Sequence, residues 1–343
     1  TMALAGNVQA AEIRSVGPDG EAAVDASTIE LTDDQIAQIK EGGYTAAICL
    51  HYGGNDWSTS QQKGLEDTFG ELGIEIVAVT DANFSAETQV SNIETVMAKK
   101  PDILVSIPTD ATATADAYKQ AAAAGIKIVF MDQRANGLEA GKDYVSVVSA
   151  DNYGNGYASG TVLGDALGGK GKVAMVYYDA NFAPTNQRDE GFRDAMKNYP
   201  DIEIVTEQGF TDESGCAEQG DAILTQFPNI DGIYASWDVP MEGVLSAVRA
   251  AGMEGKVTLA CNDLGNNVAR EIASGNIAGG GAQMPYDQGV AEAKLAALAL
   301  LGEETPSYVA VPAETVTHEN VLEAYTDVYH VETPDWLKEA YVE

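Results

Sequence analysis

Residues 44 to 57 read Tyr44-Thr45-Ala46-Ala47-Ile48-Cys49-Leu50-His51-Tyr52-Gly53-Gly54-Asn55-Asp56-Trp57. The run from Thr45 to Leu50 is short, apolar and unbroken, as expected of a strand buried on both faces, and it ends abruptly in glycines and polar residues. The same order, a short apolar run and then a longer stretch of period 3.6, recurs along the chain. Further strands are expected at 75–79, 102–107, 127–131 and 145–149, then at 172–177, 203–207, 232–235, 257–260 and 280–283. The helices between them include 86–99, where Ser85 supplies a cap and Val90, Ile93 and Met97 share one face. Strands alternating with helices of this length need right-handed crossovers, which means parallel sheets covered on both faces. The number of repeats is enough for two doubly wound sheets, and 343 residues exceed what one core usually serves. A change of composition at Ser149-Ala150-Asp151-Asn152-Tyr153-Gly154 separates the two sets.

The ends are read differently. Residues 1–30, small and polar without period, are expected to form a loose arm, and Thr1-Met2-Ala3-Leu4-Ala5-Gly6 a trimmed start or expression scar from which a signal segment has been cut. Thr32-Asp33-Asp34-Gln35 has the capping-box pattern and opens a helix that Gly42-Gly43 stops. A helix over 286–301 closes the last unit, 308–311 reads as one more strand, and Thr333-Pro334-Asp335-Trp336 as a capped terminal helix with Pro at its first position.

Composition excludes several classes of function. Acidic residues outnumber basic ones 53 to 19, a formal charge of −34, with no Lys/Arg block, so nucleic acid and anionic membrane surfaces would repel the chain. Cys49, Cys216 and Cys261 have neither disulfide-framework nor zinc spacing, and Cys49 and Cys261, each in an apolar strand-like run, read as small buried hydrophobes. The three histidines, His51, His318 and His330, form no metal pair, and His51, ending the first strand, is placed either to line a cleft or to hydrogen-bond the backbone at the strand end. Gly154-Asn155-Gly156-Tyr157-Ala158-Ser159 approximates a dinucleotide fingerprint but has Ser at the third glycine position and reads as a plain helix start. At 164–171 a P-loop-like spacing has Gly171 where Ser or Thr is required. No nucleophile elbow occurs, so the chain is read as a non-enzyme without cofactor or metal.

In open parallel sheets ligands bind beyond the carboxyl ends of the strands. There this chain places Asn55, Asp56 and Trp57; Asp132, Gln133 and Arg134; Asn186 and Arg188; Trp237 and Asp238; Asp263; and Gln283. Carboxylates and amides that accept, Arg and amide groups that donate, and indoles that cover C–H faces form a set suited to a hydroxylated solute.

Together with Val105-Ser106-Ile107-Pro108-Thr109-Asp110, Val129-Phe130-Met131-Asp132, Ser149-Ala150-Asp151-Asn152, Arg188-Asp189-Glu190-Gly191-Phe192, Asn262-Asp263 and Ala282-Gln283-Met284-Pro285, these residues resemble the ribose-binding-like (type I) periplasmic binding proteins of sugar ABC importers. The resemblance implies an α/β fold of two similar doubly wound lobes joined by three crossings, near Asp151, near Gln283 and within 302–307. That divides the chain into an arm and helix (1–43), a first lobe (44–150 with 284–304), a second lobe (151–283 with 305–320) and a C-terminal extension (321–343). It also implies an extracytoplasmic, monomeric protein that closes on a monosaccharide or sugar alcohol and delivers it to a membrane permease. The alternative within the same fold is a ligand-sensing receptor domain for chemotaxis or signalling; a sugar-responsive repressor would need a basic DNA-binding segment ahead of Tyr44, where the only bases are Arg14 and Lys40.

Several positions depart from the family. Ser58 stands where a second aromatic usually follows Trp57, Gln133 stands where an Arg usually follows the Asp, and Trp237 replaces an Asn. The second-lobe binding Arg aligns with Asn186, leaving Arg188 as its neighbour. The missing aromatic wall is expected to favour a smaller or acyclic polyol, such as a tetritol or pentitol, beside a pentose or deoxyhexose.

Overall fold

The computed structural model describes residues 12–343. The trimmed start expected at residues 1–6 lies outside them. Two sheets organise the chain. The first runs in the order Val24–Asp25, Tyr308–Val311, Ser146–Ala150, Lys127–Met131, Ile103–Ser106, Thr45–Leu50 and Glu75–Asp81, with every pairing parallel. The second has Glu314–Thr317, Gly279–Ala282, Thr258–Cys261, Gly232–Ala235, Lys170–Tyr178 and Asp201–Phe210, parallel except for its first strand.

Alternation along the strands explains why each sheet needs helices on both faces. Ala46, Ile48 and Leu50 enter one core with Ile39, Leu65, Phe69 and Leu295, whereas Ala47 and Cys49 enter another with Ile93, Val96 and Tyr118. In the second lobe Ala174 and Val176 face a core with Ile223, Met241 and Val244, while Val173 and Met175 face Leu163, Phe192 and Met196. Close helix packing there accounts for the glycine-rich start at Gly154: a Cβ on Gly156 would lie 1.8 Å from the Arg188 carbonyl oxygen. That glycine admits a neighbouring helix, Ala183–Met196, rather than a pyrophosphate.

The chain passes between the sheets after Ala150, after Ala282 and after Val311. The last differs from expectation. Tyr308–Val311 pairs with Ser146–Ala150 in the first sheet, so this part of 305–320 does not belong to the second lobe and the crossing falls at 312–313 rather than 302–307. A strand that begins beside the first sheet's open edge satisfies its backbone there before it can cross.

The arm is also better ordered than its composition implies. The Ser15 amide and hydroxyl donate to Asp151 Oδ1 at 2.9 and 2.7 Å, the Arg14 amide donates to Oδ2 at 2.9 Å, and Val24–Asp25 extends the first sheet. Residues 12–30 are therefore a strap over the first crossing. The Thr32–Gln35 capping box forms in both directions and Gly43 ends that helix in the left-handed region. At the C-terminus the helix is Asp335–Ala340 with Pro334 itself at the cap; Thr333 does not cap it, because its hydroxyl donates to the Leu322 carbonyl instead.

Candidate ligand-binding site

The C-terminal ends of both sheets' strands enclose a cavity. Asp132, immediately after Lys127–Met131, takes a left-handed φ of 57° that turns its carboxylate across the sheet end. Its Oδ1 accepts from Ser149 Oγ at 3.1 Å, from the Ala150 amide at 3.2 Å and from Asn152 Nδ2 at 3.2 Å. Asn152 Oδ1 in turn accepts from Arg188 Nε at 2.9 Å, and Arg188 Nη1 reaches the Ser236 carbonyl at 3.3 Å and lies 4.0 Å from Asp263 Oδ2. Asp263, also left-handed at φ 73°, accepts from Gln283 Nε2 at 2.6 Å, and Gln283 Oε1 accepts from Trp57 Nε1 at 3.0 Å. Asp132, Asn152, Arg188, Asp263, Gln283 and Trp57 thus form one polar chain that starts on the first lobe, passes through the second and returns.

The rest of the wall is Ile107, Pro184 and Thr185 together with a set of aromatic rings. His51, Tyr52 and Phe84 from the first lobe meet Tyr178, Phe182 and Trp237 from the second, with His51 stacked on Phe182 at 5.5 Å and Tyr52 on Phe84 at 4.2 Å. The walls leave a cavity of about 40 Å³ between them.

Burial sets the charges. It pushes the His51 imidazole down to about 3, helped by the nearby Arg188 charge, so the ring is neutral. It raises Asp263, an effect that Arg188 and the Gln283 hydrogen bond oppose, and raises Asp238, to which the Asp263 charge adds.

Of the residues singled out in the sequence, His51, Trp57, Asp132, Arg188, Trp237, Asp263 and Gln283 line the cavity. The others are not brought there. Asn55 caps helix Asp56–Glu71 through the Ser58 amide, and Asp56 spans the lobes, accepting from the Asn266 amide at 2.7 Å. Gln133 also ties the lobes, donating to the Pro108 carbonyl and accepting from the Ala183 amide at 3.0 Å. Arg134 makes a two-pronged pair with Asp19 of the strap. Asp238 lies behind the wall, holding the Val239 and Gly265 amides. Asn186 is exposed, and the cavity's guanidinium is that of Arg188. Sequence reasoning missed Tyr52, Phe84, Tyr178 and Phe182, although each stands at or just beyond a strand's carboxyl end, where the same rule applies. The aromatic wall expected to be lost at Ser58 is supplied from these positions instead.

Over residues 46–304 the sequence matches the periplasmic binding protein domain. The chain belongs to the periplasmic binding protein family. Within it the two parallel-sheet lobes and the strand-end site mark the ribose-binding-like, type I kind. A D-ribose/D-allose-binding protein of Pseudomonas aeruginosa is 29% identical over 273 residues, 76% of this chain and 83% of that one. A solute-binding protein from Actinobacillus succinogenes, solved with D-allose, superposes with a TM-score of 0.75 at 29% identity, covering 81% of this chain and 99% of that one. One from Agrobacterium vitis, solved with α-D-tagatopyranose, gives 0.76 at 26% identity, covering 85% and 100%. Among the described residues of this periplasmic binding protein, no helix is long and apolar enough to cross a membrane.

Proposed function

We propose that this chain is a binding component of a sugar ABC importer, which receives a monosaccharide or a sugar alcohol such as a tetritol or pentitol outside the cytoplasmic membrane and hands it unchanged to the permease. The observation behind this reading is the polar chain from Asp132 to Trp57, facing a ring-walled cavity built by both lobes. Hydroxyl groups would exchange hydrogen bonds with Asp132, Arg188, Asp263 and Gln283, while Trp57, Phe182 and Trp237 cover C–H faces. The ligands for which those relatives are named or with which they were solved, ribose, allose and tagatose, are of the same chemical class.

One feature narrows the ligand. Two carboxylates against one guanidinium disfavour sugar acids and phosphates. Because contacts come from both lobes, a bound ligand favours the closed arrangement over an open one, and the closed face is what a permease would read. A thermal-shift panel of tetritols, pentitols, pentoses and hexoses tests this, since a ligand that binds only the folded state raises its melting temperature. A selective rise is expected; a flat response across the panel refutes the sugar reading.

A further inference from the structure

Beyond residue 304 the chain leaves the family match and ends in helices Val321–Tyr329 and Asp335–Ala340, both seated on the second lobe. The terminal helix is tied to helix Asn266–Ala273: the Val342 amide donates to the Ala273 carbonyl at 3.1 Å, and Arg270 lies over the Trp336 ring at 5.1 Å. Helix Val321–Tyr329 carries two tyrosines one turn apart, with ring centroids 4.6 Å from each other. Both hydroxyls point at a single loop. Tyr329 donates to the Leu264 carbonyl at 2.5 Å and Tyr325 to Asn266 Oδ1 at 2.5 Å.

That loop, residues 263–266, faces two ways. Asp263 lines the ligand cavity and holds Gln283, while Asn266 presents its backbone amide and Nδ2 to the Asp56 carboxylate of the first lobe, at 2.7 and 3.4 Å. The loop begins at a left-handed, non-glycine residue, a backbone conformation that persists only where the surroundings hold it. The Gly265 amide is held by Asp238 Oδ2 at 2.9 Å and Asn266 by Asp56 across the cleft, while the tyrosine hydroxyls hold the Leu264 carbonyl and Asn266 Oδ1 from the side of helix Val321–Tyr329. Tyr329 also lies against the back of the site, on a small gap shared with Trp57, Asp263 and Gln283.

We infer that Tyr325 and Tyr329 are positioning residues for ligand capture, fixing the 263–266 loop so that Asp263 faces the ligand while Asn266 meets Asp56 across the cleft. The inference rests on the proposed binding of a sugar or polyol, and its test has one arm that does not need a ligand.

Full-length wild type, Tyr325→Phe, Tyr329→Phe and the double variant keep the rings and lose only hydroxyls; Tyr199→Phe, which loses a hydrogen bond to Asp165 elsewhere on the second lobe, sets the background. In the ligand-free proteins, hydrogen exchange of the residue 263–266 amides is expected to speed up at least tenfold in the double variant, with the central strands unchanged. With D-ribose and xylitol as probes, dissociation is expected to be about 3- to 10-fold faster per hydroxyl lost, at an unchanged association rate. The Tyr325→Phe effect should shrink when Asp56→Ala is already present. Unchanged exchange in the loop overturns the inference, as does unchanged dissociation of a probe that the wild type binds. If the wild type binds neither probe nor any member of the wider panel, the sugar reading falls and the exchange arm still decides whether the tyrosines hold the loop.

Discussion

Trp57 Nε1, on the first lobe, donates to Gln283 Oε1, at the second crossing, at 3.0 Å. The same amide gives its own N–H to Asp263, so one side chain couples the indole of one lobe to the carboxylate of the other. Replacing Gln283 by Leu keeps much of its volume but leaves the indole N–H and Asp263 without that partner. Ligand affinity should fall by about 1 to 3 kcal/mol, roughly 5- to 150-fold, with the fold retained. Calorimetry on the best ligand from the panel measures it, and an unchanged Kd would remove Gln283 from the site.

Arg188 supplies positive charge beside a buried carboxylate. Substituting Met would leave Asp263 without its cation and Asn152 Oδ1 without its donor, and breaking a buried pair in this way typically costs about 3–5 kcal/mol. Urea denaturation should show a loss of that order, and Arg188→Lys should recover only part of it, since an ammonium cannot serve Asn152, Ser236 and Asp263 with a guanidinium's fixed fork.

Asp189 gives the fold a pH dependence. Its carboxyl accepts from Ser236 Oγ at 2.6 Å and Tyr234 OH at 3.1 Å, and burial raises it from 3.8 to about 7. The folded state therefore keeps the Asp189 proton to higher pH than the unfolded chain does. This contribution to stability is complete below about pH 4, declines as the pH rises towards 7, and is lost above that. Asp189→Asn, neutral throughout, should show a shallower decline than wild type over that window in urea melts at matched pH. Parallel curves would mean that the folded protein holds Asp189 ionised.

Asn186→Ala should leave ligand affinity unchanged, because Asn186 is exposed and away from the cavity. A loss of more than about tenfold, or 1.4 kcal/mol, in calorimetry would return it to the site.

The contrast between Asn186 and Arg188 shows where reading the sequence stops. Strand positions were legible because apolar runs such as Thr45–Leu50 are buried as runs, and the Thr32 cap was legible because its partner is three residues away. On helix Ala183–Met196, however, a shift of two residues turns a side chain to the opposite side, so a family alignment that names the right helix can still name the wrong face. Arg134 was read as facing the cleft because its partner, Asp19, lies 115 residues away in a strap whose composition resembles a loose arm. Tyr52, Phe84, Tyr178 and Phe182 escaped notice for a different reason: an aromatic beside an apolar run reads as core until the second lobe is brought against it.

The late strands Tyr308–Val311 and Glu314–Thr317 have a consequence for how the molecule is made. Each lies in a different sheet, and the first pairs with Ser146–Ala150 across some 160 intervening residues. Neither lobe is a continuous stretch of chain, so neither can complete its sheet until residues 308–317 have been made. Such long-range closure is intrinsically slow. Residues up to Val311 must be available before the first sheet has all its strands and up to Thr317 before the second has, so both lobes reach completion within a few residues of each other.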